Sequence, residues 1–235
     1  MSIVLFIPLI LTTLISGFAG AGPLGETFDV SSIRTIVIIG DASSIKITTK
    51  SDEPYRAATS GRRSGWFSSW YSSWFFNICK DESRARVDGA TLTIDVAMSA
   101  WSDIADCSTE VSANVPPGSA VRIEQQVFVA ELNGAFASLG ASGKAADITL
   151  EGHASSVDIS GAAVRASLTY DIVKHDERIE ICAQSLDADL GFGKDVPVDY
   201  TVTAKASYVD SLVPSVAGAR PLVNIKADYV RARIR

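Results

Sequence analysis

Between Val115 and Asp171 apolar and polar residues alternate in short runs, and each run closes at a Gly, Asn or Ser. Val121-Arg122-Ile123, Val127-Phe128-Val129, Ile148-Thr149-Leu150, Val157-Asp158-Ile159 and Ala166-Ser167-Leu168 each offer one apolar face. Asn133-Gly134, Ser142-Gly143, Glu151-Gly152 and Ser160-Gly161 supply the turns between them. A period of two over so many short segments predicts strands, and their regular succession predicts a coiled, all-β stack. The pattern begins earlier, at Ile33 to Ile39 and Ser44 to Thr49, which read as a hairpin or as a single coil step. Thr91 to Val96 is a further strand. Residues Val173 to Arg178 are polar and predict an outward loop, after which strands resume at Ile179, Leu186 to Leu190, Val198 to Ala204, Leu222 to Ala227 and Tyr229 to Ile234. In the last of these Val230, Ala232 and Ile234 alternate with Arg231, Arg233 and Arg235, as in a basic edge strand that discourages edge-to-edge pairing.

One segment departs from this pattern. Trp66, Phe67, Trp70, Tyr71, Trp74 and Phe75 alternate in pairs with four serines, and at helical spacing the aromatics fill one half of the wheel. A short aromatic helix or loop is expected there. Its apolar face either caps the stack or meets a membrane or partner surface, with Arg62 and Arg63, placed in an exposed loop, as basic anchors.

Composition narrows the class. With 235 residues and 47% hydrophobic content, the chain can bury a core without metals or oligomers. A formal net charge of −6 with scattered basic residues gives no footprint for nucleic acid. Met1 to Gly25 carry no charged side chain, and the apolar run from Ile3 to Ser16 is followed by Ala19-Gly20-Ala21. Residues 1–21 therefore read as a signal peptide, the alternative being an uncleaved anchor, and 22–235 as one domain interrupted at about 61–107. The expected location is the periplasm or the cell surface. In such an oxidising compartment Cys79 and Cys107, which flank Thr91 to Val96, are the expected disulfide, leaving Cys182 free.

The run Val115-Pro116-Pro117-Gly118, the Gly-punctuated strands to Tyr170, and Leu186-Asp187-Ala188-Asp189-Leu190 before Val198 to Ala204 resemble the bacterial putative-adhesin family of β-solenoid domains. The resemblance spans roughly Ile33 to Ile234. It implies a single-stranded right-handed β-helix on an exported or surface protein, and no catalytic residues. A two-sheet β-sandwich is the alternative that the same short strands could build.

Little chemistry competes with that expectation. His153 and His175 stand at no ligand spacing from a second His, Cys or carboxylate, so neither metal nor cofactor is expected. Gly140-Ala141-Ser142-Gly143-Lys144-Ala145 lacks phosphate-loop spacing and reads as a turn. Asp187 and Asp189 read as a solvated strand face. The expected role is a non-enzymatic, adhesin-like binding or structural module that meets an envelope protein, a glycan or a membrane surface. The rival is a small polysaccharide hydrolase or lyase using outward Asp147, Thr149, Glu151 and Asp158 along one face.

Overall fold

The computed structural model describes residues 22–23, 27–63, 82–97, 107–193 and 195–235. No helix occurs among them. They form one 13-stranded sheet. Its strands are β1 (Gly22–Pro23), β2 (Phe28–Asp29), β3 (Thr35–Gly40), β4 (Ser43–Thr48), β5 (Arg56–Arg63), β6 (Arg84–Asp88) and β7 (Thr91–Val96). They continue as β8 (Cys107–Asn114), β9 (Ser119–Gln125), β10 (Val127–Tyr170), β11 (Arg178–Gly191), β12 (Asp199–Ser211) and β13 (Leu222–Ile234). The all-β expectation holds.

The register shows how the chain advances. β3 and β4 are not hairpin partners: β3 pairs in parallel with β7 and β9, and β4 with β8 and β10. The chain therefore steps from one ladder to a second within each rung. β10 repeats the step through its 44 residues, pairing with β4 over Phe128–Asn133, with β9 over Phe136–Ser142 and with β11 over Ser156–Thr169. Asn133 and Glu151, 18 residues apart, bond side chain to side chain at 3.2 Å from successive rungs.

Alternation builds the core. In β4 and β9 the odd positions are buried and the even ones largely face water, so parallel register stacks like on like. Ile94, Ile38 and Ile123 lie opposite one another on three neighbouring strands, as do Leu168, Leu190 and Ile234 at the other end. All six are under 2% exposed. Each such side chain contributes about 1.5–3 kcal/mol by leaving water. At the corners the rungs come close: Gly134 and Gly152 both have positive φ, and a Cβ on Gly152 would lie 2.2 Å from the Gly134 carbonyl oxygen. Only glycine fits such a corner.

Two local expectations are corrected. Arg62 and Arg63 do not sit in an exposed loop; their backbone closes β5, antiparallel to β8 with Arg62 opposite Ser108 and Arg63 opposite Cys107. β13 is not an edge. It lies between β11 and β12, so the C-terminal arginines meet acidic partners on neighbouring strands and β12 is left as the outer strand. Between 82 and 97, β7 joins the parallel ladder of β3 and β6 folds back on β7. In each case local alternation marks a strand face, whereas backbone pairing with a distant segment sets its place.

Candidate binding face

The parallel register of β10, β11, β13 and β12 lines up outward residues in three columns. Ala163, Ser185, Tyr229 and Ala206 form the first, Arg165, Asp187, Arg231 and Tyr208 the second, and Ser167, Asp189, Arg233 and Asp210 the third. Small side chains in the first column leave the Tyr229 ring uncovered. Tyr229 is 63% exposed and Tyr208, diagonally across on the next strand, 66%. Val127 and Val129 extend this apolar surface, at 49% and 47% exposed. A shallow cavity of about 780 Å³ runs over the face from these valines to the two tyrosines.

Beside it Arg and Asp alternate along the second and third columns. Asp189 accepts hydrogen bonds from Arg233 Nη1 at 3.5 Å and Arg235 Nη2 at 3.1 Å. Arg233 Nε stands 3.9 Å from Asp210 Oδ2, and Arg165 Nη1 3.8 Å from Asp147 Oδ2. These pairs are solvent-facing, so each contributes at most about 1 kcal/mol to folding. A polar recess of about 230 Å³ lies among Asp187, Asp189, Asp210, Arg231 and Arg233. The face therefore combines two bare aromatic rings with a row of donors and acceptors already held in register.

Of the residues singled out from the sequence, Asp147, Asp187 and Asp189 lie on or beside this face. Trp66, Phe67, Trp70, Tyr71, Trp74, Phe75 and Cys79 lie outside the described residues. Cys107 opens β8, and Cys182 is a free, exposed thiol on β11, as its place in the alternation implied. The outward residues expected to share one face are divided. Asp147 borders the tyrosine face, Thr149 and Glu151 line a pocket with Lys46 and Glu131, and Asp158 lines another with Arg122 and Glu124.

A second arrangement was invisible to motif spacing. His153 is no turn residue but an inward position of β10, 5% exposed, and Glu177, read as part of an outward loop, is 0% exposed. His153 Nδ1 lies 3.5 Å from Glu177 Oε1, and Asp176 is close by. Tyr170 is packed edge-on to His153 and stacked on Phe192. Burial, and next the Glu177 charge, push its phenol well above the usual tyrosine range.

No family model and no curated protein matches this chain. Among solved structures, a putative cell adhesion protein from Clostridium sporogenes is similar at TM-score 0.45 and 11% identity, covering 91% of this chain and 100% of that one. A putative adhesin from Bacteroides fragilis is similar at TM-score 0.38 and 12% identity, covering 88% and 94%. Likeness at this distance transfers no function.

Proposed function

We propose that this chain is an exported, non-enzymatic, adhesin-like binding module, built as a right-handed β-solenoid, whose Tyr208 and Tyr229 face holds a glycan. The observation that carries the reading is the pair of bare tyrosine rings beside alternating Asp and Arg columns. A tyrosine ring is large, rigid and amphipathic, and it stacks on the C–H face of a sugar ring. Carboxylates and guanidinium groups then exchange hydrogen bonds with sugar hydroxyls, and charge-assisted bonds are the strong ones. A protein partner would ask instead for a larger apolar core on this surface.

The solenoid reading is supported by the parallel pairing that joins β3, β4 and β7 through β13, outside the antiparallel pairs of β1, β2, β5 and β6, and by the 18-residue return from Asn133 to Glu151. The non-enzymatic reading is supported by the ion pairs on the face, where Asp147, Asp189 and Asp210 are each engaged by a guanidinium. Export is supported by the uncharged apolar run before Gly22, and intact-mass measurement of the native protein should find a chain beginning near that residue.

Affinity electrophoresis through gels containing soluble bacterial polysaccharides tests the binding face. The wild-type protein should be retarded by at least one of them, and the Tyr208→Ala/Tyr229→Ala protein should run unretarded with an unchanged melting midpoint. Equal retardation of both proteins would overturn the assignment. New reducing ends released during incubation would favour the hydrolase instead.

A further inference from the structure

His153, Asp176 and Glu177 converge although 23 and 24 positions of chain separate the histidine from the two acids. One ligating atom from each lies within 4.8 Å of the others. The cluster is remote in chemistry from the tyrosine face and has no part in it.

The hydrogen bonding around it is incomplete. Glu177 Oε1 accepts a bond from the Lys174 backbone N–H at 2.5 Å, but Oε2, fully buried, has no partner among the described residues. A carboxylate removed from water without a counter-charge is costly, so something positive belongs beside it. His153 Nε2 is 3.3 Å from Ser155 Oγ. If that nitrogen carries the proton and donates it, Nδ1 presents a lone pair towards the Ile172 carbonyl oxygen at 3.3 Å and Glu177 Oε1 at 3.5 Å. Three electron-rich atoms then face one another. That is the arrangement a cation resolves, and Ser155 supplies the outer hydrogen bond that orients a ligating imidazole.

We propose that His153 Nδ1, Glu177 and Asp176 form a binding site for a divalent cation of the zinc class. One imidazole and two carboxylates suit zinc and its first-row neighbours, whereas calcium and magnesium take oxygen donors. Ligands about 2.1 Å from a tetrahedral zinc stand about 3.4 Å apart, which the His153 and Glu177 atoms already satisfy. Asp176 is exposed and offers a carboxylate oxygen within 4.8 Å of the other two ligand atoms. The cation would neutralise the buried Glu177 and tie the loop between β10 and β11 onto the stack.

Calorimetric titration of zinc chloride into untagged Cys182→Ser protein, freed of metal beforehand, tests this. The expected result is one equivalent bound, with affinity lowered more than about tenfold in both Asp176→Asn and His153→Ala and a melting midpoint raised by zinc only in the parent. Asp176 is on the surface, so its variant folds even if His153→Ala does not. Absence of binding at millimolar zinc, or undiminished affinity in Asp176→Asn, would overturn the site. The same result would leave the glycan-binding assignment untouched, because Tyr208 and Tyr229 are tested separately.

Discussion

Gly152 stands directly over Gly134, one rung above it, so close that a methyl group on its Cα would lie 2.2 Å from the Gly134 carbonyl oxygen. Both have φ near +126° (126° and 127°), a conformation that L side chains rarely adopt. Stacked parallel rungs need a sharp corner at the same point in each, and glycine makes the corner while allowing the backbones to touch.

Gly152→Ala should therefore destabilise the protein by about 1–3 kcal/mol from overcrowding alone, with backbone strain added. Gly218→Ala is the matched control: its φ is +80° and nothing lies within 4 Å of the added Cβ, so it carries only the backbone cost. Urea denaturation of both variants measures the difference. Equal losses would mean that the corner is not close-packed.

The buried tyrosine makes alkaline stability specific. Tyr170 is neutral in the folded protein well past its usual value near 10.0, for burial and the Glu177 charge both oppose the phenolate. The unfolded chain releases that proton first, so the contribution is complete below pH of about 10 and is lost as pH rises above it. Phenolate absorbance should show one of the six tyrosines ionising only with unfolding. Tyr170→Phe should lose its hydrogen bond to the Ala154 carbonyl, 3.2 Å away, yet show a shallower fall in stability above that pH.

Peptide mapping without reduction should recover Cys79 linked to Cys107 and an unlinked Cys182 peptide. Cys182 is exposed on β11, which leaves it open to alkylation in the native protein. In the loop-entropy account a bridge of this span contributes about 3–4 kcal/mol, so reduction should lower the melting midpoint. Any peptide joined through Cys182 would contradict the pairing.

The aromatic run from Trp66 to Phe75 is expected to cap the stack. Replacing Trp70 and Trp74 by Ala should then cost several kcal/mol, since each buried aromatic lost typically costs about 3–5 kcal/mol. Thermal denaturation beside vesicle flotation separates this from a membrane contact: a preserved midpoint with lost flotation would assign the segment to the lipid surface.

What the sequence determined by itself was local. Alternation located Thr91 to Val96 with both ends where β7 has them, placed Asp187 and Asp189 on the outer face, and left Cys182 exposed. A period of two decides which side of a strand a residue takes, and that needs no knowledge of its neighbours. It also marked the glycines that make corners, since a residue without Cβ signals its backbone directly. The neighbour across the ladder is another matter. Tyr208 and Tyr229 are unremarkable outward positions until β13 slips between β11 and β12 and sets them on adjacent strands. His153 and Glu177 meet only because a largely exposed loop turns Glu177 inward against β10, and the C-terminal arginines gain carboxylate partners because their strand is interior. Periodicity is a property of a few consecutive residues, whereas parallel register joins residues 17 to 85 positions apart, so tertiary structure alone decided which side chains share a site.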